Sequence, residues 1–153
     1  MWQRIQTVYL VLATICCLAC LSLPVATSPT TDMMPDSIVY NLFIVLPDGS
    51  REWSLFSHES FLLIMSCTMA TIAIFTYKNR KLQAVECALG ITFTLIWNVI
   101  YGVWAFSGLV IPVGAMIPSF AACLPLVALI LFVLARKAIL KDEALVRAAD
   151  RIR

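Results

Sequence analysis

The chain contains the stretch LQAVECALGITFTLIWNVIYGVWAF at residues 82–106, and this stretch decides the fold class. Small or polar residues recur in it at every fourth position: Glu86, Gly90, Thr94, Asn98 and Gly102. On an α-helix, residues four apart lie one turn apart on the same side. Bulky residues such as Trp97 and Ile100 occupy the other sides. We therefore expect a helix that packs this 86–102 stripe against protein and turns its bulky side chains to lipid.

The composition is typical of a membrane protein. Of the 153 residues, 61% are hydrophobic and only 13% are charged, whereas a soluble domain is usually about a quarter charged. The net charge of +2 is too small to suggest nucleic acid as a partner. The length suits a single domain.

Four hydrophobic runs predict an all-α membrane fold, a four-transmembrane-helix bundle. The predicted helices cover about residues 5–24, 58–77, 82–106 and 116–135. At about 1.5 Å per residue, runs of about 20 residues match the ~30 Å core of a bilayer. The charged tail, residues 136–153, has no Gly or Pro and should continue the fourth helix. The basic turn Lys78-Asn79-Arg80-Lys81 predicts a tight antiparallel hairpin of the second and third helices.

The first hydrophobic run has two alternative interpretations. It resembles a secretory signal peptide that is cleaved near Val25-Ala26-Thr27, or a lipoprotein signal that ends at Cys20. A signal peptide usually has a shorter apolar segment and a better small-residue cleavage site. We therefore favour an uncleaved membrane helix, since the run is long enough to span a bilayer.

The outer loop, residues 25–57, predicts a β-hairpin between the first two helices. Residues 26–36 contain Ser, Thr and Pro without periodicity, which indicates a loop. Residues 37–46 are rich in β-branched and aromatic residues, and residues 51–56 alternate in polarity. Pro47-Asp48-Gly49-Ser50 between them is a turn sequence, because Pro presets φ and Gly permits a positive φ.

The fourth helix is expected to begin near Met116 or Pro118. Pro125 would then lie in mid-membrane, where a proline kinks the helix and frees a backbone carbonyl, here near Ala121. The kink is either a hinge for function or a structural bend. The structural bend is the more common case, because proline is frequent in membrane helices.

The distribution of basic residues predicts the topology. Ten of the eleven basic residues flank one set of helix ends: Arg4, Lys78, Arg80, Lys81, Arg136, Lys137, Lys141, Arg147, Arg151 and Arg153. Arg51 alone lies in the opposite loops. Because basic residues stay in the cytoplasm, both termini should be cytoplasmic and the hairpin extracytoplasmic. Short loops favour a bacterial inner membrane.

The residue pattern does not favour an enzyme or a metal site. All six cysteines lie in hydrophobic runs, which is typical of small packing residues. Cys16 and Cys20 share a helix face, but no His or carboxylate in that run completes a metal site. His58, the one histidine, lies beside Glu59 at a predicted helix start. No catalytic or nucleotide-binding motif is recognised, so we expect no cofactor.

Two terminal stretches show a family resemblance. The start QRIQTVYL (3–10) and the end KDEALVRAADRIR (141–153), together with the turn YKNRKLQ (77–83), resemble a bacterial family of four-helix membrane proteins. That family is catalogued only as a domain of unknown function. The resemblance covers essentially the whole chain, including the first helix. It implies a topology, but no activity and no catalytic residues.

Two functional hypotheses remain. The first is a scaffold or accessory subunit of an inner-membrane complex, with a protein partner or a second copy of the chain. The second is a small-solute or ion transporter that uses Glu86 and Asn98, because carboxylates inside membranes are often functional. Glu86 lies near enough to the cytoplasmic surface to be a structural anchor instead, reaching water, Arg4 or Lys137.

The tail is the candidate interaction segment of the first hypothesis. The residues that we expect to make the contact are Arg136, Lys137, Leu145, Arg147, Ala149, Arg151 and Ile152. The basic residues form a broad face that suits anionic lipid headgroups. The alternative is that the narrow apolar strip formed by Ala138, Leu145, Ala149 and Ile152 docks a cytoplasmic partner.

Overall fold

The computed structural model describes residues 3–29, 36–53, 57–107 and 117–150. The chain is mainly helical, as predicted, and has strands between its first two helices. The helices are α1 (Gln3–Ser22), α2 (Ser57–Phe75), α3 (Arg80–Ser107) and α4 (Leu124–Asp150). The strands are β1 (Ala26–Ser28), β2 (Ser37–Val39), β3 (Phe43–Val45), β4 (Arg51–Trp53) and β5 (Ile117–Pro118).

The four helices pack in a ring, with α1 against α2 and α4, and α3 against α2 and α4. The core between them consists mainly of alanine and cysteine, with a few large side chains such as Phe132 and Trp97. Small residues let helix backbones approach closely, so dispersion contacts accumulate along the whole interface.

The turn between α2 and α3 is short and internally bonded. The backbone N–H of Asn79 donates to the carbonyl of Thr76 at 2.9 Å. The side-chain Oδ1 of Asn79 accepts from the backbone N–H of Leu82 at 3.3 Å, which caps the start of α3. The predicted antiparallel hairpin of α2 and α3 is confirmed.

The strands form one antiparallel sheet in the order β4-β3-β2-β1-β5, which is larger than the predicted hairpin. The prediction that residues 26–36 are loop is wrong at β1, whose Ala26 pairs with both Val39 and Pro118. The second of these pairings joins segments about 90 positions apart in the chain. Local propensity therefore gave no sign of it, because a three-residue strand is stable only through its neighbours.

The predicted strand at residues 37–46 is two strands, β2 and β3, separated by a turn. The backbone N–H of Tyr40 donates to the carbonyl of Phe43 at 2.9 Å, and the two rings stack with centroids 4.6 Å apart. Asn41 lies at the turn and is only 1% exposed. Asn is depleted in strands and favoured in turns, which explains the position of the break.

The predicted turn at residues 47–50 is confirmed, and it joins β3 to β4. Gly49 has a φ of 80°, a conformation that glycine adopts without steric cost. The hydroxyl and the backbone N–H of Ser50 donate to Asp48 Oδ1 at 2.6 and 2.9 Å. These hydrogen bonds hold the pKa of the Asp48 carboxyl below its usual value.

The predicted start of the fourth helix is wrong, and so is the mid-helix kink. Residues 117–118 belong to β5, and a 3-10 helix at Phe120–Cys123 precedes α4. Pro125 is therefore the second residue of α4, where its missing N–H costs no helical hydrogen bond. The carbonyl of Ala121 is not freed, because it accepts from the backbone N–H of Leu124.

The tail continues α4 as far as Asp150, as predicted. The carboxylate of Glu143 and the guanidinium of Arg147 form the expected ion pair one turn apart. The pair is on the surface of the helix, so its contribution to stability is small.

Candidate functional sites

The centre of the 86–102 stripe is a tight three-helix contact. An added Cβ at Gly90 would lie 2.8 Å from Phe132 Cε1 on α4, so only glycine leaves room for the ring. The hydroxyls of Thr94 and of Ser66 on α2 are 2.7 Å apart. Thr94 also donates to the carbonyl of Gly90 at 2.8 Å. Glycine and two hydroxyls thus join α2, α3 and α4 at one level of the bundle.

The last two residues of the stripe, Asn98 and Gly102, do not take part in this three-helix contact. Asn98 is half-buried and donates through Nδ2 to the carbonyl of Thr94 in its own helix at 2.8 Å. At Gly102, none of the described atoms lies within 4 Å of an added Cβ, so close packing does not require this glycine. Four residues turn an α-helix by about 400°, and the line from Glu86 to Gly102 therefore rotates by about 160°.

The face of α3 that the bundle buries alternates steps of four and three. Its central line is Gln83, Cys87, Gly90, Thr94 and Trp97, and Ala84 and Glu86 are also buried beside the first two. This spacing averages 3.5 residues and stays on one side of the helix. The expectation that Trp97 faces lipid is wrong, since its side chain is 2% exposed and stacks on Tyr101 with centroids 5.1 Å apart.

Glu86 is a buried carboxylate at the end of the bundle where α2 and α3 meet, and it is 7% exposed. Its Oε1 accepts from Thr76 Oγ1 at 3.2 Å. Its Oε2 is buried and has no hydrogen-bond partner among the described residues. The sequence suggested Lys137 or Arg4 as the cation that anchors Glu86. Lys137 is exposed and forms no ion pair with Glu86. The side chain of Arg4 lies outside the described residues.

The tail has a docked half and an exposed half. Ile139 is buried, Gln6 Nε2 of α1 donates to Asp142 Oδ2, and Arg80 Nη1 donates to the Asp142 carbonyl at 3.0 Å. From residue 144 to residue 149 every side chain is exposed, and Leu145 is 62% exposed.

The residues predicted for interaction divide between these halves. Arg136 and Lys137 are exposed beside the docked half. Leu145, Arg147 and Ala149 are exposed in the last turns. Arg151 and Ile152 lie outside the described residues. Ala138 and Leu145 line a groove of about 520 Å³ between α1 and α4, together with Ile5 and Leu134.

The six cysteines are free thiols, and they do not share one environment. Four of them are buried in the helical core: Cys17, Cys20, Cys67 and Cys87. Cys16 is half-buried and Cys123 is exposed, so the packing interpretation does not extend to Cys123. Within the described ranges, no group of three or more His, Cys, Asp and Glu side chains could hold a metal ion.

Sequence reasoning missed a polar junction that fixes the sheet to the helices. Asn41 Nδ2 donates to the carbonyl of Cys20 at the end of α1 at 2.6 Å. The hydroxyl of Ser60 in α2 donates to the carbonyl of Asn41, also at 2.6 Å. The phenol of Tyr101 in α3 donates to the carbonyl of Val25 at 2.8 Å. The one feature of the sequence that could have indicated this junction is Asn41, a polar residue inside the apolar, β-branched run at residues 37–46.

Comparison with known protein families gives one informative result. A family model described as a domain of unknown function, DUF4293, matches residues 2–152. The comparison with curated proteins gives no match. Because the family model spans almost the whole chain, the resemblance that the terminal stretches indicated is confirmed, and the chain belongs to the DUF4293 family of unknown function.

Proposed function

We propose that this protein is a multi-pass protein of a bacterial inner membrane that acts as a scaffold or accessory subunit of a larger complex. Among the residues that the structure describes, three helical segments are long and apolar enough to cross a membrane: Ile5–Ser22, Arg80–Phe106 and Phe120–Ala149. The apolar part of α2, Glu59–Phe75, is shorter. At about 1.5 Å per residue it reaches about 25 Å. It packs between α1 and α3, so we expect it to span with them.

The outward faces of all four helices support a membrane location. Large apolar side chains are exposed on every helix, for example Val8 and Ile15 on α1, Phe61 and Ile64 on α2, Leu95 and Val99 on α3, and Val127 and Ile130 on α4. Soluble monomers rarely expose a contiguous apolar patch larger than a few hundred Å². In a bilayer the same faces contact acyl chains at no cost.

The ends of the bundle support cytoplasmic termini. Gln6 of α1 and Arg80 of α3 both bond to Asp142, so the basic helix ends lie together. The sheet lies at the other end, where Val25 and Tyr101 are joined. Basic residues remain on the cytoplasmic side, so we place the sheet outside the cell membrane and the tail inside.

One observation favours an accessory role, namely the exposed face of the last described turns of α4. The turns after Glu143 expose Leu145 and Val146 together with Arg147. An exposed apolar and basic helix face at a membrane surface is a suitable contact for another protein. Anionic lipid is the alternative partner, because basic residues near the surface attract it by about 1 kcal/mol each.

Crosslinking in native membranes tests this proposal. A photoreactive amino acid at Ala149 should crosslink to a protein, whereas one at Ile130, which is exposed on the membrane-spanning part of α4, should crosslink to lipid. Leu145→Asp with Ile152→Asp should abolish the protein adduct. Arg147→Lys with Arg151→Lys retains the charge and should preserve it. The accessory role is refuted if only lipid adducts form at Ala149 and the Asp variant behaves like the wild type.

The second hypothesis, an ion or small-solute transporter, is favoured by the buried Oε2 of Glu86, which has no partner among the described residues. Asn98, its proposed second ligand, lies twelve residues away on α3, or about 18 Å. The side chain of Asn98 is already bonded to Thr94, and the ring of Phe132 fills the space against Gly90 between them. If the protein is a transporter, the geometry therefore favours Glu86 acting alone over a transport path that uses both Glu86 and Asn98.

Glu86→Gln distinguishes the two hypotheses, because it keeps the shape of the side chain and removes its charge. A transporter should lose uptake or growth function while the protein still accumulates to the normal level. An accessory subunit should be nearly unaffected. Asn98→Ala is the matched variant, and loss of transport in both would restore the two-residue path.

A further inference from the structure

A shallow, open basic cleft of about 630 Å³ lies between the α2–α3 turn and the extension of α4. Its lining includes four basic residues, namely Lys78, Arg80, Lys81 and Arg147, and one acidic residue, Glu143. The elements that form it come from opposite ends of the sequence. Arg80 Nη1 fixes their relative position by its 3.0 Å hydrogen bond to the carbonyl of Asp142.

The positive charge of the cleft is largely uncompensated. The carboxylate of Glu143 is already paired with Arg147. Lys78 and Lys81 are exposed, and neither makes an ion pair with any side chain that the structure describes. Two free ammonium groups and two oriented guanidinium groups therefore face the same space. Guanidinium and ammonium groups together are a typical binding environment for phosphate.

The groove on the other side of the tail has a different character. It is lined by Ile5, Leu134 and Leu145, and its two charged residues, Lys141 and Asp142, have opposite signs. The groove therefore lacks the excess of positive charge that the lining of the cleft carries.

The surroundings of the cleft favour a lipid over a soluble anion. Tyr77 directly precedes Lys78, the first lysine of the cleft, and its side chain is exposed. Tyrosine is enriched at membrane–water interfaces. Leu82 and Val85 follow its last lysine on α3, and their apolar side chains are exposed. A lipid can therefore place its phosphates in the cleft and its acyl chains along α3.

We propose that this cleft binds the headgroup of a phospholipid with two phosphates, diphosphatidylglycerol, at the cytoplasmic surface. Basic pockets between membrane helices on this side bind such headgroups. Four basic residues less one acidic residue leave the lining with a net charge of +3, which exceeds the single negative charge of one phosphodiester, and we therefore choose a headgroup with two. The proposal depends on the membrane location proposed above and adds a defined lipid site to it.

Lipid titration of the purified full chain tests the site. The protein is reconstituted in nanodiscs of zwitterionic lipid with increasing fractions of diphosphatidylglycerol, and bound lipid is measured by native mass spectrometry. Lys78→Gln with Lys81→Gln should weaken binding about thirtyfold, which corresponds to about 1 kcal/mol for each lysine. Lys137→Gln with Lys141→Gln removes the same charge from the same end of the bundle but outside the cleft, and should have little effect.

The possible outcomes separate the alternatives. Equal weakening in both double variants would overturn the cleft, because it would indicate attraction to the whole basic surface. Competition by free pyrophosphate as effective as that by the lipid would overturn the choice of a lipid. Failure of the wild-type chain to incorporate into nanodiscs would refute the membrane location itself, which is a distinct result from incorporation without lipid binding.

Discussion

Gly90→Ala provides a direct test of the contact between α3 and α4. The new methyl group would lie 2.8 Å from Phe132 Cε1, and 3.1 and 3.2 Å from the next two ring atoms. Carbon atoms in ordinary contact are about 3.5–4.0 Å apart, so the ring would have to retreat by roughly 0.7 Å. Phe132 is fully buried, so the ring cannot move into solvent without disturbing its neighbours.

The magnitude follows from two opposing effects. Overpacking of a filled core costs about 1–3 kcal/mol. Alanine in place of glycine in a helix recovers about 0.8–1.0 kcal/mol. Gly102→Ala is the matched control, because the added methyl group there contacts none of the described atoms. The helix-propensity gain is common to both variants, so Gly90→Ala should be less stable than Gly102→Ala by about 1–3 kcal/mol.

Thermal unfolding in detergent, followed by circular dichroism, measures this difference. For a chain of this length 1 kcal/mol shifts Tm by about 2–4 °C, so Gly90→Ala should melt several degrees below Gly102→Ala. Phe132→Leu makes room beside Gly90, and in that background the cost of Gly90→Ala should fall. Equal Tm values for the two alanine variants, or an unchanged cost in the Phe132→Leu background, would refute the proposed ring contact.

Three other predictions concern the sheet, the start of α4 and the topology. Asn41→Leu should destabilise the protein by about 1–3 kcal/mol, because it leaves the buried carbonyl of Cys20 without its donor; a melting temperature equal to that of the wild type would contradict this. Pro125→Ala should change Tm little, since Pro125 lies in the first turn of α4, whereas a large shift would indicate a kink within the helix. Alkaline phosphatase fused after Asp48 should be active and fused after Asn79 inactive, and activity after Asn79 would exclude the four-span topology.

Much of the helical architecture could be predicted because it depends on local signals. The apolar runs, the basic turn before α3 and the uninterrupted tail after Arg136 each specify a helix or its end from neighbouring residues. The turn at Gly49 is also local, since its chemistry requires a residue that tolerates a positive φ. The clustering of basic residues likewise required no knowledge of contacts.

The buried face of α3 could be predicted only in part. A stripe of strict fourfold spacing correctly includes Gly90 and Thr94, which lie in the three-helix contact. The stripe wrongly includes Gly102, which is not closely packed, and it omits the buried Trp97. The reason is that each step of four residues turns about 40° past a full turn, and these small rotations add up along the helix. Which positions face the core is decided by the helices on either side of α3, and their placement is not encoded in the periodicity of α3 alone.

By itself, the sequence determined the mainly helical character of the described residues, the hairpin turn between β3 and β4 and the continuation of α4. Only the tertiary structure decided that β1 joins β2 to β5, that Asn41 is buried against α1 and that the basic cleft brings Lys78 beside Arg147. The physical reason is the range of the interactions. Helix and turn formation depend on residues within about four positions of each other, whereas strand pairing, burial and clefts depend on segments that only the packed chain brings together.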